Sequence, residues 1–104
     1  MILVIKKFYI YILCNKNRNV VYVGQTSDLK KRIYFHKKKL ISGFSKKYNV
    51  DRLVYYEVFS TIEEARAREI QVKKYRREKK NLLIQKLNLD WNDLCDNIEK
   101  CTND

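Results

Sequence analysis

The chain is 104 residues long, enough for one compact domain with a modest core, and 23 lysines and arginines against 12 acids give it a formal charge of +11. No uncharged apolar run approaches the roughly 18 residues of a membrane span, and the apolar start MILVI stops at Lys6 and Lys7, which also argues against a signal peptide. Three scattered cysteines, Cys14, Cys95 and Cys101, with no CxxC pair and a single histidine, argue against a structural zinc site and fit reduced thiols in a cytoplasmic protein.

The charge is unevenly spread. Residues 88–104 hold five acids and one base, a net of −4, so residues 1–87 carry 22 bases against 7 acids, or +15. A field of that size draws phosphate-bearing partners, nucleic acid above all. An anionic lipid surface or a merely solvated basic face would satisfy the same charge, so the choice rests on other residues.

In chain order, FYIYIL at 8–13 and VVYVG at 20–24 are β-branched and aromatic and flank the polar NKNRN. They predict an antiparallel hairpin whose loop asparagines take left-handed backbone in place of glycine. The strand period of two puts Tyr9, Tyr11 and Leu13 on one face, Phe8, Ile10 and Ile12 on the other, and groups Val20, Tyr22 and Gly24. QTSD then offers N-cap side chains, and Leu29, Ile33, His36 and Leu40 recur at helical spacing, predicting a helix over 28–40. Arg32 lies one turn before His36, so both side chains can reach one place.

SGFSKKYN breaks the pattern, and RLVYYEVFS at 52–60 predicts a third strand. Thr61 with Glu64, and Ser60 with Glu63, are capping-box signatures that open a long helix to about residue 79 with no Gly or Pro inside it. NLLIQKLN and WNDLCDNI predict two short helices that close the core through Leu82, Leu83, Leu87, Trp91, Leu94 and Ile98. There is no internal repeat and no linker, so the whole of 1–104 reads as one domain, with a core at about 8–92 and an acidic helical tail at 88–104.

Four features can carry chemistry. Arg32 and His36 could clamp a phosphate, the guanidinium fork gripping oxygens while the imidazole donates a hydrogen bond or moves a proton; a core histidine explains His36 equally well. Glu69 shares the helical stripe of Ile62, Ala65 and Val72, where a carboxylate needs a cation: either a neighbouring arginine or a Mg²⁺ ion completed by waters and phosphate. Tyr9, Tyr11 and Tyr22 read as half-buried strand aromatics, or as proton-handling phenols if cations or a metal-bound water lower the demand on them. The basic residues Lys30, Lys31, Lys37 and Lys38, and Lys73, Arg76 and Arg77 in KKYRREKK, either track a phosphodiester backbone or simply solvate their helices.

Taken together, Tyr-Ile-Tyr at 9–11, a polar loop, Tyr-Val-Gly at 22–24, Arg32 ten residues after that tyrosine, His36 nearby and Glu69 in a later helix resemble the GIY-YIG nuclease superfamily. The resemblance runs from about Phe8 to Asn92 and is strongest to small stand-alone bacterial members; the same module forms the incision domain of a bacterial excision-repair protein and the head of some homing and restriction endonucleases. It implies an α+β fold with a three-stranded antiparallel sheet flanked by helices. It also implies phosphodiester hydrolysis with one divalent metal, Mg²⁺ or Mn²⁺, and no small-molecule cofactor. Tyr11 and Tyr22 match the two motif tyrosines, one of which helps to activate water; Arg32 matches the arginine that stabilises phosphate charge, His36 a histidine of this branch, and Glu69 the metal-binding carboxylate. Tyr9 replaces the first-motif glycine, Gln25 replaces a lysine found in some members, and Asn81 and Asn88 both stand as matches for a family asparagine.

The resulting expectation is a cytoplasmic, metal-dependent endonuclease acting on DNA in repair or recombination, with no membrane partner. The alternative is a nucleic-acid-binding module of the same fold that is inactive, or active only within a complex. DNA against RNA, substrate shape and oligomeric state are not written in the sequence.

Overall fold

A computed structural model describes residues 6–38, 43 and 47–95. Strands β1 (Phe8–Cys14), β2 (Val21–Thr26) and β3 (Arg52–Phe59) form an antiparallel sheet in the order β2-β1-β3. Helix α1 (Leu29–Lys37) follows β2, and α2 (Ile62–Lys73) and α3 (Arg77–Leu87) follow β3. The architecture is therefore α+β, as expected.

The central strand β1 has alternating faces that feed two cores. Ile10, Ile12 and Cys14 pack with Val54, Ala65, Val72, Ile84 and Trp91 beneath α2 and α3, while Tyr11 and Leu13 pack with Leu29, Ile33, Val50 and Leu53 beneath α1. The second face carries the motif tyrosines. No helix among the described residues is long and apolar enough to cross a membrane.

The hairpin loop departs from expectation in one respect. The left-handed residue is Arg18 (φ 61°), not an asparagine. Asn15 instead caps the loop, its side-chain oxygen accepting from Asn19 N and Val20 N at 3.1 Å each. Arg18 tolerates the unfavourable backbone because both its ends are held: its guanidinium donates to the Asp90 carbonyl at 2.8 Å and lies 5.8 Å from the Trp91 ring, and its own carbonyl accepts from Arg77.

The single long helix expected to residue 79 is two helices. α2 ends at Lys73, and Arg76 adopts extended backbone before α3 begins. In an uninterrupted helix Ile84 would sit about 120° round from Val72. Both are fully buried against the same sheet face, so the chain turns to bring them there. Tyr75 fills the corner, with Lys79 over its ring at 4.1 Å.

That turn also changes which leucines close the core. Ile84 is the buried residue of α3, whereas Leu82 and Leu87 are 66% and 62% exposed; Trp91 is buried, and Leu83 and Leu94 are partly so. The expected helix at WNDLCDNI does not begin where the sequence predicts it: residues 91–93 are not helical, and Trp91 takes left-handed backbone (φ 57°), which no helix can start from; residues 96–98, Ile98 among them, and Leu40 lie outside the described residues. At the start of α2 the capping box is Thr61 with Glu64, whose N–H donates to Thr61 at 3.2 Å; Ser60 also donates to Glu64 and not to Glu63.

Candidate active site

The site is built on the β1–β2 pair. Tyr11 stands opposite Gly24 in the ladder and Leu13 opposite Tyr22, so the two tyrosines are diagonal neighbours on one face. Gly24 makes this possible: a Cβ there would lie 2.5 Å from the Tyr11 hydroxyl oxygen and 2.6 Å from Cζ. The phenol of Tyr11 thus lies across the glycine.

Helix α1 supplies the second wall. Thr26 accepts from Asp28 N, and Asp28 in turn caps the helix by accepting from Lys31 N, both at 3.1 Å. This start directs Leu29, Ile33 and His36 onto the sheet. The His36 ring meets both tyrosines, 5.9 Å from Tyr11 and 5.7 Å from Tyr22 between centroids, and Tyr11 and Tyr22 are 6.3 Å apart. The Tyr11 hydroxyl and His36 Nε2 share a hydrogen bond of 3.2 Å. Tyr11 is 1% exposed, His36 is 4% exposed, and Tyr22 is half-buried at the rim.

Burial dominates the proton chemistry of this cluster. It pushes the Tyr11 phenol well above its ordinary value, with the neighbouring Tyr22 and the Glu69 carboxylate pushing the same way and Arg32 opposing. Burial, aided by the Arg32 guanidinium, holds His36 below the usual histidine range. At neutral pH the pair is therefore a phenol and a neutral imidazole. The exposed Arg32 and the partly buried Glu69 both act on Tyr11, with opposite sign.

These directions predict the pH profile of stability. His36 binds its proton less readily folded than unfolded, so stability falls as pH drops through about 6.5; Tyr11 releases its proton less readily folded, so stability also falls as pH rises past about 10. Thermal unfolding should show a plateau between these limits. His36→Gln should flatten the slope between pH 6.5 and about 5, above the range where ordinary carboxylates titrate; an unchanged slope would assign it to other groups.

Glu69 lies on α2 with its side chain 16% exposed, and its carboxylate pairs with Lys73 Nζ at 3.5 Å. Lys37 donates to Asp93 at 2.6 Å. Lys31 lies 5.7 Å from the Phe35 ring and Lys38 6.0 Å from the Tyr34 ring, while Lys30 and Arg76 are exposed. Lys31 and Arg32 line a shallow cleft with Thr26, Ser27, Asp28 and Phe35.

Arg77 has a structural commitment: its guanidinium donates to Asn81 at 2.8 Å and to the carbonyls of Arg18 and Asn19, tying α3 to the hairpin loop. Asn88, one of two asparagines left open by the sequence, is buried and donates to the carbonyls of Val54 and Asn92 at 3.1 and 2.8 Å. Sequence reasoning missed Asp93, which also accepts from Leu53 N at 3.3 Å and so docks the acidic segment on β3. It missed the Arg68–Glu57 pair too, because no periodicity links residues on different elements.

Comparison with known proteins gives the family and the fold. A family model described as the GIY-YIG catalytic domain matches residues 7–81. The UPF0213 protein of Staphylococcus saprophyticus is 38% identical over 78 residues, covering 75% of this chain and 94% of that protein; one from Clostridium perfringens is 37% identical, covering 73% and 81%. In fold, the chain is similar to the solution NMR structure of the UPF0213 protein of Bacillus halodurans, with a TM-score of 0.54 and 30% identity over 84% of this chain and 92% of that one. With the paired tyrosines, Gly24 and α1 arranged as described, this chain belongs to the GIY-YIG catalytic domain family, a nuclease family.

Proposed function

We propose that the protein is a divalent-metal-dependent endonuclease that hydrolyses phosphodiester bonds of DNA, acting in the cytoplasm in repair or recombination. The observation that carries this reading is the joining of Tyr11, Tyr22 and His36 in one cluster, with the opposite charges of Arg32 and Glu69 acting on it. The +15 of residues 1–87 supplies the attraction for a polyanion.

Glu69 fits a Mg²⁺ or Mn²⁺ ion. Among the described residues no cluster of three or more His, Cys, Asp or Glu could form an all-protein cage. Mg²⁺ requires none, since it is commonly held by one or two carboxylates with waters and substrate phosphate. When bound, the ion would neutralise phosphate charge and ease ionisation of water. Lys73 holds the Glu69 carboxylate meanwhile from an exposed position, and an arriving cation can displace it.

The remaining roles follow from burial. To Arg32, exposed where it lines the cleft, we assign the grip on the phosphate and the offset of charge developing on its oxygens. Tyr11 is held as a phenol and is poorly suited to accept a proton. Tyr22, at the rim, is the phenol we assign to meet the attacking water, with the Tyr11–His36 pair fixing its surroundings. Lys30, Lys31, Lys38 and Arg76 are exposed, and we assign them to the DNA backbone; Lys73 is shared with Glu69 and Lys37 with Asp93, and Arg77 contributes through the fold.

The Lys73 contact on Glu69 favours one further reading, a nucleic-acid-binding module that cuts only within a complex. A panel of duplex, branched and single-stranded DNA with Mg²⁺, Mn²⁺ or chelator separates the two. Metal-dependent nicking is expected, with Tyr22→Phe slowing it by about 10² or more, the low end for a proton-handling group, and Tyr11→Phe by about tenfold. The reverse order would move the proton to Tyr11, and salt-sensitive binding with no cleavage on any substrate would favour the module.

A further inference from the structure

On the sheet face away from the tyrosines, Arg68 of α2 and Glu57 of β3 form a two-pronged ion pair. Arg68 Nε donates to both Glu57 carboxylate oxygens, at 3.1 and 3.2 Å, and Nη2 donates to Oε2 at 3.0 Å. The other prong, Nη1, donates to Gln71 at 2.8 Å and to the Tyr75 hydroxyl at 3.1 Å, while the Tyr55 hydroxyl donates to Glu57. Both charged side chains are only 23% exposed. An isolated surface ion pair contributes little, but a fork held at this many points fixes orientation as well as distance.

Arg68 is the residue before Glu69. Successive helical residues point about 100° apart, so with Arg68 fastened over β3 the Glu69 side chain is turned to the other side of α2. Its charge there reaches Tyr11 on β1. Ala65 and Val72 share the stripe of Glu69, so any roll or slide of α2 turns all three together and shifts Glu69 relative to the tyrosines. The two apolar residues that α2 buries, Ala65 and Val72, are small, and hydrophobic burial is non-directional, so the fork supplies the directional restraint.

We infer that the Arg68–Glu57 fork is a positioning device that sets the rotation of α2 and so aims the Glu69 carboxylate, with Tyr55, Gln71 and Tyr75 bracing it. This rests on the proposed metal role of Glu69. Arg68 touches neither substrate nor metal; it acts through its neighbour. Outer partners that orient a ligand typically change metal affinity by 10- to 100-fold when removed.

The test is a Mn²⁺ titration of the full chain followed by paramagnetic broadening of backbone amide signals around residues 11 and 69, with thermal unfolding in parallel. Arg68→Lys keeps the charge but not the fork, and Glu57→Gln keeps the shape but not the charge. Both should weaken Mn²⁺ binding by about tenfold or more while still unfolding cooperatively. Tyr75→Phe removes one brace and should change it by less than about threefold. The exchange Glu57→Arg with Arg68→Glu should recover most of the loss. The inference is overturned if the wild type outbinds Glu69→Gln yet Glu57→Gln and Arg68→Lys match the wild type. If the wild type binds no better than Glu69→Gln, the metal assignment itself fails and this inference with it. Should Arg68→Lys not fold, Glu57→Gln and the exchanged pair decide between the same outcomes.

Discussion

Glu69→Gln is expected to reduce metal-dependent nicking by at least about 10²-fold, the scale seen when one electrostatic contact to the reacting centre is removed. Glutamine keeps the length and the hydrogen-bonding oxygen but loses the charge that a hard cation requires. Because Lys73 already pairs with this carboxylate from an exposed position one turn on, the substitution removes only a helix-surface contact of about 0.3–0.5 kcal/mol. Stability should therefore hold while activity falls. DNA binding in chelator should hold or tighten slightly, since one negative charge leaves a strongly positive surface. Measured together, cleavage rate, melting temperature and salt-dependent affinity form a sharp test: cleavage that persists in Glu69→Gln would remove this residue from the metal site.

The second large effect is structural. Gly24→Ala places a methyl group 2.5 Å from the Tyr11 hydroxyl oxygen and 2.6 Å from its ring carbon. A flexible surface side chain would swing aside. Tyr11 is 1% exposed, packed against Leu29 and Ile33 and bonded to His36, so it has no free direction. Overpacking of this kind costs about 1–3 kcal/mol, which for a domain near this size lowers the melting temperature by roughly 4–8 °C per kcal/mol. The same displacement breaks the Tyr11–His36 hydrogen bond, so nicking should fall further than the loss of folded protein explains. A variant with wild-type melting and wild-type cleavage would show that the ring moves freely, contrary to the packing described.

Much of the sheet was legible because a strand's period of two is a local property. FYIYIL with its alternating faces led directly to the two cores, and the N-cap signals at Asp28 and Thr61 marked two helix starts. The set Tyr11, Tyr22, Arg32, His36 and Glu69 was nameable through their spacing and the family resemblance it supports. The break at 74–76 was not legible, because no Gly or Pro marks it and the choice between one helix and two depends on where Val72 and Ile84 meet the sheet. For the same reason Leu82 and Leu87 could not be told from Ile84, and Arg18 could not be singled out as the left-handed loop residue.

By itself the sequence determined the strand faces, the helix starts, the strong positive charge of residues 1–87 and the residue types that a phosphodiester site needs. Only the tertiary structure decided which of those residues are buried and which are held by partners. Burial, a property of the assembled chain, makes Tyr11 a held phenol and His36 a neutral imidazole, and leaves Tyr22 at the rim. Likewise Lys37 and Arg77, indistinguishable in sequence from the other bases, acquire fixed partners only when Asp93 and the hairpin loop are folded against them. Charge and periodicity act along the chain; desolvation and orientation require the third dimension.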